Sequence, residues 1–356
     1  VTRCSGSGRV HTPLQPTLVG SAGFGSRGTE SGDVMAEFAK GLEGVIAAET
    51  QMSFIDGVKG VLEYVGIPIG ELGAHSTFEE TVFLLWNLRL PTRAELDAFN
   101  KDLRSRYALP SGMLERITSV PKTAQPMHML RTMVSALAMH DTDPNANDVK
   151  SAREKALNVL ACTPAIIAAF DRHRRGLPIV PPNPSLGFAE NFLYMLNAER
   201  PTPTMARAFD ICMILHADHG LNNSTFAARV VISTLSDVYS ALTAAVGSLR
   251  GPLHGGANEE VMEMLGEIPT LKDVEPYIMG RLAKKERIMG FGHRVYKAKD
   301  PRANHLQGLA KQLAEDTGNT DLYAKSSLIE EIMKREVGAK GIYPNVDFYS
   351  ATTYHC

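Results

Sequence analysis

Apolar residues recur at intervals of three and four along most of the chain, the signature of helices with one buried face. The pattern predicts helices over residues 78–88, 94–106, 126–140, 152–172, 189–196, 203–219, 225–249, 259–265, 274–285, 302–317 and 322–336. In 126–140, for example, Met129, Met133, Leu137 and Ala138 fall on one face. Glycine and proline punctuate the gaps, as at Gly66-Ile67-Pro68, Leu90-Pro91 and Leu109-Pro110. Ser76-Thr77-Phe78-Glu79 has the form of a capping box, with Ser76 accepting from the backbone of Glu79 and Glu79 reaching back. Alternating strand patterns and repeats of solenoid length are absent. The expected fold class is all-α. The most apolar stretch, 225–249, carries only Arg229 and Asp237 as charges, yet Ser and Thr recur through it. A membrane span needs about 20 predominantly apolar residues. The stretch therefore reads as a helix apolar nearly all round, buried in a core or a subunit interface.

Composition narrows the picture. With 356 residues and 44% hydrophobic content, there is material for two domains or one large one. Lys plus Arg number 37 against 39 for Asp plus Glu. That balance points to neither a nucleic-acid surface nor an acidic tail. Cys4, Cys162, Cys212 and Cys356 lack CxxC spacing, which argues against a disulfide framework or a Cys-based zinc site and for a reducing setting. Residues 1–34 are rich in Gly, Ser, Thr, Pro and Arg without apolar periodicity, so disorder is expected there. They read either as a weak transit-peptide-like leader, with Arg3, Arg9 and Arg27 ahead of any acid, or as upstream sequence before a natural start at Met35. A composition shift near 251–256 places a domain boundary there. The expected organisation is a large helical domain over 35–255 and a small one over 256–356, with a cleft between them.

Four short segments combine reactive side chains with glycine or proline. In Leu215-His216-Ala217-Asp218-His219-Gly220-Leu221-Asn222, two histidines and an aspartate end an apolar helix. Three readings stay open: histidines favoured by the helix dipole, metal ligands, or groups that hold an anionic substrate. In Gly251-Pro252-Leu253-His254-Gly255-Gly256-Ala257-Asn258, a histidine lies in irregular backbone just before a helix start. That position favours a neutral imidazole able to donate to a developing oxyanion; the alternative is a loop histidine without a role. In Ile288-Met289-Gly290-Phe291-Gly292-His293-Arg294-Val295-Tyr296-Lys297, followed by Asp300-Pro301-Arg302, exposed backbone N–H groups precede a cluster of positive charge. This suits a phosphate-bearing or multiply carboxylated ligand, or else a solvated basic face. It is neither a Walker A loop nor a dinucleotide fingerprint. In Lys340-Gly341-Ile342-Tyr343-Pro344-Asn345-Val346-Asp347-Phe348-Tyr349-Ser350, one carboxylate sits among apolar residues. It is either a base strengthened by burial or the cap of a turn.

Together and in this order, HxDHGxN, GPLHGGANE, GFGHRVYxxxDPR and PNVDFYS resemble the citrate synthase family. Gly41-Leu42-Glu43-Gly44-Val45, Glu49-Thr50, Ile55-Asp56-Gly57, Ser76-Thr77-Phe78-Glu79-Glu80 and Asn191-Phe192-Leu193-Tyr194-Met195-Leu196 are similar to its shorter, bacterial-type members. The resemblance spans about residues 36–354. It implies an all-α homodimer with a large and a smaller mobile domain. It implies an acyltransferase of the tricarboxylic acid cycle that condenses acetyl-CoA with oxaloacetate and hydrolyses citryl-CoA, with no metal and no permanently bound cofactor. By motif match, Asp347 removes a methyl proton from acetyl-CoA, His254 donates to the thioester oxygen, and His293 polarises the oxaloacetate carbonyl. His219, Arg302 and Asn222 fall among the substrate-binding positions. Ile288, Met289, Gly290, Phe291, Gly292 and Lys340 fall at CoA contacts. His216 reads as structural. The cytoplasm is the expected compartment, with an organellar address through residues 1–34 as the alternative.

Ala351 stands where the family usually carries glycine. The chain ends at Cys356, ahead of a family segment bearing two more substrate-binding arginines, so a C-terminally truncated chain of weak or no activity is expected. Three rival readings remain. A 2-methylcitrate synthase using propionyl-CoA shares all four motifs. A metal-dependent phosphohydrolase built on Asp218 and His219 leaves His254, His293 and Asp347 unexplained. A non-catalytic helical dimer would follow from truncation.

Overall fold

The structure is a computed structural model that describes residues 45–356. The expected extension over 1–34, Met35 and the 41–44 part of the opening motif lie outside the described residues. The fold is all-α in its bulk, with one departure from the sequence reading. A small antiparallel sheet opens the described chain: β1 (Ser53–Asp56), β2 (Val61–Tyr64) and β3 (Ile67–Pro68), in the order β1-β2-β3. Ser53 pairs with Tyr64 and Asp56 with Val61. Each of the first two strands has four residues. Only Leu62 and Tyr64 of β2 are fully buried, and two alternations are too few to register as a period.

The helices follow in chain order: α1 (Ile69–His75), α2 (Phe78–Asn87), α3 (Arg93–Ser105), α4 (Met113–Ser119), α5 (Pro126–Ala136), α6 (Val149–Arg174), α7 (Phe188–Asn197), α8 (Pro203–His216), α9 (Asn223–Ile232), α10 (Val238–Leu249), α11 (Ala257–Gly266), α12 (Val274–Ala283), α13 (Pro301–Thr317), α14 (Thr320–Val337) and α15 (Val346–His355). Thr77 rather than Ser76 caps α2, and the reciprocal bond of the expected capping box is not made among the described residues. Thr77 Oγ1 accepts from Glu80 N at 3.2 Å, and Ser76 Oγ donates to Glu80 Oε2 at 2.7 Å. Glu79 is buried instead, and its Oε1 accepts from Phe188 N at 3.0 Å. It thereby satisfies an orphan donor at the start of α7.

The single helix expected over 225–249 is two helices packed against each other, α9 and α10. Both starts are capped by polar side chains. Asn222 Oδ1 accepts from Thr225 N at 3.0 Å, and Asp237 Oδ1 accepts from Ser240 N at 2.8 Å. Leu235 takes the left-handed φ of 62° at the break. The charge at Asp237 is thus a helix start rather than an interruption within one helix. Nor is α9 buried: Phe226 and Val230 are exposed.

One core gathers Leu62 and Tyr64 of the sheet with Leu72, Leu215, Ile278, Ile329, Phe348 and Tyr349. A second joins Met113, Met129, Met133, Ile166, Phe170 and Tyr239 from α4, α5, α6 and α10. No described helix is long and apolar enough to cross a membrane.

Candidate active site

The small sheet positions two of the four motifs. Tyr64 of β2 is fully buried, and its hydroxyl donates to the carbonyl of Asp218 at 2.8 Å. The same oxygen accepts from Asp218 N at 3.1 Å. Asp218 Oδ2 accepts from Gly220 N at 2.9 Å and closes the turn that carries His219. On the far side of the β1–β2 turn, the Gly57 carbonyl accepts from Lys297 N at 2.8 Å. A Cβ on Gly57 would collide with the Val295 carbonyl, so only glycine lets the turn approach the His293 arm this closely.

His293 and His219 meet over this sheet, with ring centroids 5.5 Å apart and planes at 75°. His293 Nδ1 accepts from the backbone N–H groups of Val295 at 3.0 Å and Tyr296 at 3.2 Å. A ring nitrogen that accepts twice carries no proton, so the neutral ring is protonated on Nε2. His219 Nε2 lies 3.1 Å from the Tyr296 hydroxyl. Burial, followed by the positive charge of Arg302, pushes His219 down to about 3. Burial also lowers His293. Both imidazoles are therefore neutral near pH 7.

Arg302 and Asp300 form a buried fork at the head of α13, with each residue under 5% exposed. Arg302 Nε donates to Asp300 Oδ1 at 3.0 Å and Nη2 to Oδ2 at 2.8 Å. Asp300 Oδ1 also caps the helix through Arg302 N at 3.0 Å. Burial alone would raise the Asp300 carboxyl, but the charge and hydrogen bonds of Arg302 outweigh it and hold it below the usual range. The fork leaves Arg302 Nη1 for a ligand. Behind it, Lys299 Nζ donates to Glu330 Oε1 at 2.6 Å and to Gln307 Oε1 at 2.8 Å. The Tyr349 hydroxyl donates to the same glutamate. This network ties the arm preceding Asp300 to α13, α14 and α15.

Asp347 stands in the first turn of α15, whose start is capped by Asn345 Oδ1 accepting from Asp347 N at 3.0 Å. Burial raises its carboxyl to about 6, with Arg302 pulling the other way. The loop of Ile288, Met289, Gly290, Phe291 and Gly292 packs directly against this helix start. Gly292 N donates to the Tyr343 carbonyl and Asn345 N to the Gly290 carbonyl, each at 2.9 Å. Gly290 has a φ of 78°, and a Cβ there would overlap Phe348. The third and fourth motifs thus form one unit.

The other residues singled out by sequence stand as follows. Half-buried His254 sits in the turn between α10 and α11, with Nε2 2.8 Å from Ser224 Oγ of α9. Burial lowers its pKa. None of its hydrogen bonds among the described residues reaches His219, His293 or Asp347. Asn222 spends Oδ1 and one Nδ2 proton on Thr225, which makes it a helix cap with one amide proton left. Lys340 is exposed just before Gly341. His216 Nδ1 bonds the Cys212 carbonyl at 2.7 Å, and its ring borders an apolar groove of about 680 Å³ lined also by Trp86, Phe188 and Phe209. Sequence reasoning left Asp300, Tyr296 and Ser224 without roles. The Asp-Pro-Arg order did carry a helix-start signal for Asp300; nothing in the sequence marked the other two.

Comparison with known proteins places the sequence and the fold. Residues 41–356 match the family described as "Citrate synthase, C-terminal domain". Citrate synthase from Deinococcus radiodurans is 48% identical over 90% of this chain and 85% of its own length. Citrate synthase 2 from Bacillus subtilis is 48% identical over 89% and 84%. A 2-methylcitrate synthase from Mycobacterium tuberculosis is 40% identical over 91% and 81%. A solved citrate synthase from Thermoplasma acidophilum, in a ternary complex with carboxymethyl coenzyme A and oxaloacetate, superimposes with a TM-score of 0.85. It is 34% identical and covers 90% of this chain and 84% of that one.

Proposed function

The chain belongs to the citrate synthase family, and from that premise we propose how its residues condense acetyl-CoA with oxaloacetate. Oxaloacetate is a dianion with an electrophilic ketone. Arg302 Nη1 meets a carboxylate, His219 donates to a second oxygen, and His293 Nε2–H polarises the ketone. Asp347 takes a methyl proton from the acetyl thioester. Its raised affinity for protons makes it a stronger base than an exposed aspartate, while at pH 7 it is still mostly ionised. A carboxylate alone is far too weak for a methyl proton, so the enolate oxygen needs a hydrogen-bond donor, the role we assign to His254. The enol then attacks the ketone, and water cleaves the resulting citryl thioester. CoA lies along Ile288–Gly292 and Lys340, whose backbone and charge suit a phosphate-bearing ligand.

The observation that carries this reading is the convergence of His219, His293, the Asp300–Arg302 fork and the helix start that bears Asp347. His254 makes no hydrogen bond to that unit among the described residues. The reading also includes the smaller mobile domain, residues 256–356, that the family resemblance implies. It also includes a homodimer, supported by the exposed apolar residues Phe226 and Val230 of α9. The bacterial relatives support the cytoplasm as its compartment. The higher identity to citrate synthases than to the 2-methylcitrate synthase favours acetyl-CoA over propionyl-CoA.

The test is free-thiol release from acetyl-CoA with oxaloacetate, using the full chain and an Asp347→Asn variant. The expected loss in the variant is about 10²- to 10⁴-fold, the usual contribution of a positioned base. Release that ignores Asp347, or a folded chain that releases no thiol, would overturn the reading. Faster release from propionyl-CoA would move it to the methylcitrate reaction.

A further inference from the structure

We propose that Tyr296 is the positioning residue of the oxaloacetate pocket, because its backbone N–H and its hydroxyl hold two histidines in opposite tautomers that both turn an N–H to one substrate. This rests on the function proposed above. Tyr296 is 1% exposed, and its ring packs 5.5 Å from His219 and 4.9 Å from His293, centroid to centroid. Its backbone N–H lies 3.2 Å from His293 Nδ1. With Val295 N as the second donor at 3.0 Å, Nδ1 is an acceptor and Nε2 carries the proton.

The hydroxyl sets the second ring in the opposite sense. The Tyr296 oxygen lies 3.1 Å from His219 Nε2 and has no other hydrogen-bond partner among the described residues. A phenol that only accepted here would bury its own proton without a partner, at a free-energy cost. It therefore donates to Nε2, and the His219 proton resides on Nδ1, which has no protein partner among the described residues. One ring thus offers Nε2–H and the other Nδ1–H. Their edge-to-face arrangement at 5.5 Å lets the two protons reach different oxygens of one small dianion. A single residue achieves this with two groups that a substitution can separate, since Tyr296→Phe removes the hydroxyl and keeps the backbone N–H.

The experiment is ¹⁵N NMR of the histidine rings in the full chain, assigned with His219→Gln and His293→Gln, combined with kinetics of Tyr296→Phe. The wild type is expected to show His219 protonated on Nδ1 and His293 on Nε2. In Tyr296→Phe, His219 becomes a mixture of tautomers while His293 is unchanged. The KM for oxaloacetate rises about tenfold, as for loss of one well-placed hydrogen bond, and the KM for acetyl-CoA stays put. A purely structural tyrosine would lower the unfolding midpoint and spare both the tautomers and the oxaloacetate KM. That result, or His219 protonated on Nε2 in the wild type, overturns the proposal. If the wild type turns over no oxaloacetate, the function reading fails separately, and the tautomers still decide the role of Tyr296.

Discussion

The pocket built on His219, His293 and Arg302 and the turn that carries His254 are held in different ways. His293 is fixed by two backbone donors, and Arg302 by a bidentate carboxylate. His254 leans on one hydroxyl, Ser224 Oγ, which is also 3.0 Å from the Ala245 carbonyl. A serine has one proton for two acceptors. With the proton on Ala245 O, His254 must donate through Nε2; with the proton on Nε2, the imidazole carries its own on Nδ1. The pocket proposed for oxaloacetate is thus preorganised, whereas the histidine proposed to stabilise the enol keeps two tautomers in reach. Under the proposed function, the comparison teaches that two halves of one reaction can differ in rigidity.

The sharpest way to break the comparison is Asp300→Asn. It leaves the Arg302 guanidinium buried without its counter-charge. The expected loss is about 3–5 kcal/mol in denaturant unfolding. An unchanged midpoint would mean that the pocket is not held by this pair. Because the Asp300 pKa is lowered in the folded protein, its stabilisation is present above the ordinary carboxylate range and fades as pH falls through its own pKa.

Asp347→Asn should act in the opposite direction on stability. Its carboxyl is raised from 3.8 to about 6, so between those values the folded protein holds more protons than the unfolded chain. Stability therefore drops as pH rises through that window. The neutral amide should gain up to about 3 kcal/mol at pH 7 and almost nothing at pH 4, while catalysis collapses. In the wild type, kcat should fall about tenfold per pH unit below about 6. A pH-independent effect of the amide on unfolding would show that Asp347 is not strained by burial.

Gly57→Ala tests how the small sheet sets the pocket. The new Cβ meets the Val295 carbonyl, and the forced shift should cost about 1–3 kcal/mol. It should raise the KM for oxaloacetate more than that for acetyl-CoA. Equal changes in both would sever the sheet from the pocket. Ser224→Ala is the mildest probe. Losing one hydrogen bond should lower kcat about tenfold and leave oxaloacetate binding alone. If oxaloacetate binding weakens instead, the two regions are already coupled before any movement.

Much of the helical framework was legible because the period of three to four residues repeats many times in each long segment. Errors cluster where local signals are short or compete. The cap of α2 is Thr77 rather than Ser76, and Glu79, expected to reach back, accepts instead from α7, 109 residues away. The stretch 225–249 split although Asn222 and Asp237 both carried a start signal, since unbroken apolarity masked them. The candidate residues were legible as motifs, and the structure gathers His219, His293, Arg302 and Asp347 while leaving His254 with Ser224. Tyr296 lay within a quoted motif, but a buried phenol beside a histidine has no signature in one dimension.

The helical class of this protein and the candidates for its chemistry were determined by sequence, since they depend on residue type and short-range spacing. Tertiary structure decided which partner the His219 ring meets and how far burial raises the proton affinity of Asp347. A tautomer depends on the partner of the opposite nitrogen, and a carboxyl's proton affinity on the water removed around it. Tyr296, which meets the His219 ring, is 77 residues from it, whereas the donors to His293 lie only two and three residues on.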